Sequence, residues 1–162
     1  MPAPLLLLAA SLPLRFGQVG IYGTALDFCD FSVLKLVHFG EHRRPENLAR
    51  FRKLVHEAHE RGLVNLVGLY CFDRVTHKRP LDEYCRNADE ILSALDLSKV
   101  DAVFLSEENV TWNRGLHILN DLYRHIKRRH PDLPVYQWLT APDPPHPKLE
   151  ADGWIYDLYG AR

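Results

Sequence analysis

Val100-Asp101-Ala102-Val103-Phe104-Leu105-Ser106-Glu107-Glu108-Asn109 is the stretch on which the fold turns. Its first part is an apolar run with the length of a strand. That run, 100–105, carries no alternation of polar residues toward its end, as expected of a strand covered on both faces. The run opens onto two carboxylates and an amide. Parallel α/β folds gather their chemistry at such strand ends.

Outward from this point the chain alternates strand and helix signals. Upstream, 81–95 has Leu81, Cys85, Ala88, Ile91, Leu92 and Leu95 at helical spacing. Before it, 63–72 is apolar on both faces, the expected third strand. Residues 45–61 predict the clearest helix. Pro45 suits the first helical position, Leu48, Phe51, Leu54, Val55 and Ala58 share one face, and Gly62 follows as a C-terminal stop. A second strand is expected over 33–39 and a first over 5–10. Residues 17–30 between them read as turns at Gly20 and Gly23 with a short helix. Downstream, 116–129 predicts a third helix with Leu119, Leu122 and Ile126 inward, ended by Pro131. Residues 135–139 and 154–159 predict strands five and six. The 141–152 connection holds Pro142, Pro144, Pro145 and Pro147, a density that forbids a regular helix.

This rhythm implies a parallel sheet in one domain spanning 1–162. Two architectures compete. A doubly wound open sheet is complete at about 160 residues. Its usual Gly-rich phosphate loop is not met, since Ser11-Leu12-Pro13-Leu14-Arg15-Phe16-Gly17 fits neither dinucleotide nor P-loop spacing. A (β/α)8 barrel needs roughly 200 residues or more, so about six strands make an incomplete one. A barrel directs every strand end to one mouth, where His38, Asp73, Glu107, Glu108, Trp138, Thr140 and Asp157 would meet. The incomplete parallel barrel is the preferred reading, and the doubly wound sheet the alternative.

Composition bounds the function. Hydrophobic residues make up 46% and charged residues 25%, as in globular domains. The formal net charge of -1 gives no general attraction to nucleic acid or anionic membranes. Cys29, Cys71 and Cys85 show no zinc-like spacing, and a Cys71–Cys85 bridge stays open. Leu5 to Leu8 with Ala9-Ala10-Ser11 has the look of a signal-peptide core, but no Lys or Arg precedes it. It is too short to span a bilayer. Read as a buried strand it leaves the chain cytoplasmic, and read as a signal it makes the protein secreted.

Several side chains stand out chemically. Glu107 and Glu108 are neighbours, so along a strand they face opposite sides. One would face the mouth and the other the helix layer, and the alternation does not say which. Asp157 interrupts the apolar run Ile155, Tyr156, Leu158, Tyr159, where a charge is costly unless paired or in a cleft. Asp73 has Arg74 beside it, which suggests a local ion pair. His38-Phe39-Gly40-Glu41-His42 offers metal-ligand types but no third ligand, so His38 is read as a hydrogen-bonding group of the mouth and no metal is assigned. Among Trp112, Trp138 and Trp154, Trp138 is the candidate for ligand contact and Trp154 for packing. No nucleophile elbow is present.

By its fourth strand, with Val135-Tyr136-Gln137-Trp138 and Gly153-Trp154-Ile155-Tyr156-Asp157 beyond it, the chain resembles TIM-barrel glycoside hydrolases of the large retaining superfamily and bacterial glycosidase-like proteins. The resemblance implies an acid/base Glu at the end of strand four, Glu107 or Glu108, and a sugar cleft lined by His38, Asn109, Trp138 and Asp157. It implies a carbohydrate ligand and no cofactor. The family places Asn before Glu, whereas this chain has Asn109 after Glu107 and Glu108. The family's nucleophile sits on strand seven, which the reading lacks. Hydrolysis needs two carboxyl groups, about 5–5.5 Å apart for retention. The isolated chain is therefore expected to hydrolyse weakly or not at all. Two other expectations stand beside it: a non-catalytic truncated barrel that binds carbohydrate or assembles with another copy through its exposed edges, and a doubly wound domain with a small-molecule site.

Overall fold

The computed structural model describes residues 17–20, 31–35, 39–69, 79–105, 116–140 and 149–157. Six strands form one sheet: β1 Gly17–Gly20, β2 Phe31–Lys35, β3 Val64–Gly68, β4 Ala102–Phe104, β5 Val135–Thr140 and β6 Gly153–Asp157. Their order in the sheet is their order in the chain. All five pairings are parallel. A doubly wound sheet must reverse its order at a switch point. This one never does, so the doubly wound alternative is excluded and the fold is an incomplete parallel (β/α) barrel.

Three helices lie between the strands among the described residues: α1 Pro45–Glu60, α2 Leu81–Ala94 and α3 Leu116–Arg129. Each presents the apolar stripe its sequence carries. Phe51, Val55 and Ala58 are buried on α1, Tyr84, Ala88, Ile91 and Leu92 on α2, and Ile118, Leu119, Leu122 and Ile126 on α3. They pack on one sheet face only, against Leu34, Val67, Leu69, Val103, Leu105 and Val135. The alternate residues of the same strands form a second, separate cluster. Val33, Phe104 and Trp138 are its buried members, with Leu66, Tyr136 and Ile155 against them. A helix layer outside and a distinct apolar layer inside is the division a barrel wall makes.

Helix ends follow local chemistry. At the end of α1, the Gly62 N–H donates to the His59 carbonyl at 2.8 Å and the Leu63 N–H to the Ala58 carbonyl at 3.0 Å. This closure needs the left-handed φ of 72° that Gly62 adopts. On α2, the buried Asn87 is held at both ends of its amide. Its Oδ1 accepts from the Gly40 N–H at 3.1 Å and its Nδ2 donates to the Leu69 carbonyl at 3.3 Å. Helices α2 and α3 are joined by Asp89, which accepts from His125 Nε2 at 2.9 Å and lies 3.6 Å from Arg129 Nε.

Two sequence expectations are corrected. Gly17–Gly20, expected as part of a turn region, is a strand. Glycine weakens a strand by entropy, but here the ladder to residues 31–34 of β2 supplies the order. The second strand begins at Phe31 rather than Val33 and is described to Lys35, its register set by pairing Phe31 through Lys35 with Val64 through Gly68; residues 36–38 lie outside the described residues and Phe39 is in a turn. Phe39 instead packs edge-on against Tyr84, with ring centroids 5.6 Å apart. The expected strand at 5–10 lies outside the described residues. Between β5 and β6 the described residues, 149–152, contain no helix. Leu149 is buried in the outer core, and no described helix is long and apolar enough to cross a membrane. Cys85 is a half-buried free thiol, and burial, followed by the nearby Asp89 charge, raises its pKa.

Candidate functional site at the C-terminal end of the sheet

Parallel strands alternate their side chains between barrel interior and helix layer. The two core clusters fix that alternation here. Leu66, Phe104, Tyr136, Trp138 and Ile155 belong to the interior, whereas Val67, Val103, Leu105, Val135 and Trp154 belong to the helix side. Cross-strand register agrees, pairing Phe104 with Tyr136 and Trp138 with Ile155. The interior layer is tight. The Phe104 and Trp138 rings lie 5.1 Å apart at 59°, and Trp138 is 3% exposed. Below them Tyr136 covers Gly153 so closely that a Cβ there would sit 2.6 Å from the ring. Burial, then the charges of Asp152 and Asp101, raises the Tyr136 phenol pKa, so this layer is neutral and apolar.

The mouth lies above this floor. Thr140 and Asp157 are register partners at the C-terminal ends of β5 and β6. Asp157 is the last described residue of β6, two positions beyond Ile155. Glu107, Glu108 and Asn109, together with His38 and Asp73, lie outside the described residues. Of the residues singled out in the sequence, the structure therefore brings Trp138 and the Asp157 position to adjacent strands of one wall.

The loop between β2 and α1 rims the same end. Glu41–Arg43 forms a 3-10 turn in which His42 is 4% exposed. His42 Nε2 lies 2.5 Å from Glu90 Oε2 on α2, and Arg43 Nε donates to the same oxygen at 2.9 Å. Burial disfavours ionisation of Glu90, but the hydrogen bonds from Arg43 and His42 outweigh it and hold the carboxyl below its usual range. Arg79 stacks over Phe39 at 4.3 Å, closing the loop onto α2. The His42 imidazole thus serves a carboxylate. Among the described residues, no group of three His, Cys, Asp or Glu side chains could hold a metal.

Sequence reading missed Asn87, Glu90 and the buried Asn65 and Gln137. Asn65 Nδ2 donates to the Val55 and Lys99 carbonyls, both at 2.9 Å. Gln137 Nε2 donates to the Glu150 carbonyl at 3.4 Å. A polar residue on an apolar stripe was the available signal, since buried amides persist only when hydrogen-bonded.

No protein-family model matches the chain, and no curated protein sequence does. Solved structures are similar to it in shape, among them two beta-glucosidases. One is a beta-glucosidase from Exiguobacterium marinum, at 15% identity and a TM-score of 0.50, covering 69% of this chain and 34% of that one. The other is the GH1 beta-glucosidase from Exiguobacterium antarcticum B7, at 15% identity and a TM-score of 0.51, covering 70% of this chain and 34% of that one. The chain spans about a third of the length of these enzymes. At this identity the likeness is one of fold alone, a parallel (β/α) barrel over the part the chain spans.

Proposed function

We propose that this barrel segment binds a carbohydrate at its C-terminal mouth, with Glu108 as the proton donor of a glycoside-hydrolase-like site. The observation that carries the proposal is the division of strand residues between the two cores. Phe104 is interior and Leu105 is on the helix side. The proposal carries this alternation on in twos along the sequence, which groups Glu108 with Phe104 and Glu107 with Leu105. Asp157 falls in the interior set by the same count from Ile155. In this reading Phe104 and Trp138 are the apolar floor, His38 and Asn109 bind sugar hydroxyls, and Asp157 lines the cleft. The similarity in fold to two beta-glucosidases makes a β-glucoside the first ligand to try. Hydrolysis by this chain alone would require a second carboxylate across the glycosidic bond.

The test is titration with an aryl β-glucoside, followed by broadening of the ligand's proton NMR lines. Saturable binding that Glu108→Gln and Asp157→Asn weaken several-fold, and Glu107→Gln does not, supports the assignment. Sugar binding or release that survives all three substitutions sinks it.

A further inference from the structure

A second polar concavity lies at the opposite end of the sheet, where α1 faces the connection between α2 and β4. It is a cleft of about 310 Å³, within the range of about 300–1,000 Å³ typical of small-molecule sites. Three cationic side chains line it, Arg52, Lys53 and Lys99, against one carboxylate, Asp96. His56 is the fourth nitrogen-bearing member, and the buried Val55 forms part of its wall.

The hydrogen bonds orient this cluster toward an anion. Lys99 sits on the 3-10 turn Leu97–Lys99 with its side chain 23% exposed. Its ammonium lies 2.5 Å from His56 Nδ1. An ammonium can only donate, so Nδ1 accepts, which leaves Nε2 as the nitrogen of the ring that donates. Asp96 is engaged within its own turn, accepting from Ser98 Oγ at 2.6 Å and from the Ser98 N–H at 3.2 Å. It stands 3.9 Å from Lys99 Nζ. Of the other acidic groups nearby, Glu57 makes a long, exposed pair with Lys53 at 3.5 Å, and Glu60 lies 3.8 Å from His56 Nδ1 without donating or accepting there. Such pairs contribute about 0–1 kcal/mol and yield readily to a stronger anion. Arg52 has no ion pair among the described residues, so its guanidinium fork is available for two oxygens of one group.

We propose that this cleft binds a phosphomonoester dianion, held by Arg52, Lys99 and the His56 Nε2–H. The site is independent of the carbohydrate mouth. The probe is inorganic phosphate, added at constant ionic strength and followed by the His56 ring signals and the backbone amides of residues 95–99. Saturable shifts are expected, absent with chloride. Arg52→Gln should weaken binding about tenfold, the loss of one charge-assisted hydrogen bond, and Lys99→Met should weaken it further. Both variants should fold, because Arg52 is exposed and it is the Lys99 backbone carbonyl that receives Asn65. Melting curves check this. Shifts that grow linearly without saturating, or that chloride reproduces, overturn the proposal. So does saturable binding unchanged in both folded variants.

Discussion

Two aspartates do the same work at the start of different strands. Asp101, just before β4, accepts from the Asn65 N–H of β3 at 2.7 Å and returns its own N–H to the Asn65 carbonyl at 3.0 Å. Asp152, just before β6, accepts from the Val135 N–H of β5 at 2.9 Å and returns its N–H to the Val135 carbonyl at 2.8 Å. Each carboxylate thus extends the ladder by one bond beyond the last residue with strand geometry. Asp152 also receives the Tyr123 hydroxyl at 3.0 Å and Lys127 Nζ at 3.0 Å. Burial, then this hydrogen bond, pushes the Tyr123 pKa up to about 12. Replacing Asp152 with Ala should cost about 1–3 kcal/mol, because a strand N–H loses its partner, and urea unfolding would measure it. Gly153→Ala should also destabilise, by about 1–3 kcal/mol, since the new methyl meets the Tyr136 ring. If the ring is the cause, Tyr136→Val in the same chain should recover most of the loss in melting temperature.

At the scale of elements, stability comes from helices laid on one sheet face. α3 contributes Leu122 at 1% and Ile126 at 0% exposure. Ile126→Ala should cost about 2–5 kcal/mol, through lost burial and the cavity left behind. The loop before α1 is held differently, by charge. Hydrogen bonds from Arg43 and His42 hold the folded pKa of Glu90 below the ordinary glutamate value, against the effect of burial. A depressed carboxylate contributes stability that is present above its unfolded pKa and is lost as pH falls through the folded value. Docking of residues 39–44 on α2 should therefore weaken as pH drops below about 4.5. Hydrogen exchange of the Arg43 and Arg44 amides would report it, and Glu90→Gln should remove that pH dependence. Exchange that is equally protected at pH 3 and pH 7 in both forms would exclude Glu90 as the clamp.

At the scale of the molecule, β1 and β6 each have one hydrogen-bonded neighbour among the described strands. Unpaired strand edges are templates for pairing with another chain. Self-association that grows with concentration is the expected behaviour of this 162-residue chain in sedimentation velocity. A single monomeric species at every concentration would mean that both edges are covered.

The helices were legible in the sequence because a stripe at 3.6-residue spacing can be buried in only one way. Leu116–Arg129 has the expected bounds, and α1 and α2 end one residue earlier than their stripes suggest. Strands three to six were legible as short apolar runs in the right order. The strand at Gly17–Gly20 was not foreseen and the second begins at Phe31 rather than Val33, because glycine-rich and mixed segments acquire strand geometry from neighbours distant in sequence, which no local pattern encodes. The carboxylates at 107 and 108 were visible as a charge at a strand end. Which face of Ala102–Phe104 turns to the barrel interior was not, since alternation within one strand is symmetric until something outside it marks a face. That mark is tertiary. Helices packed on Val103 and Leu105, and Trp138 packed on Phe104, distinguish inside from outside. Strand order was the other decision left to the tertiary structure. The same βα rhythm serves an open sheet or a barrel, and only the pairing of each strand with its successor curves this one toward closure.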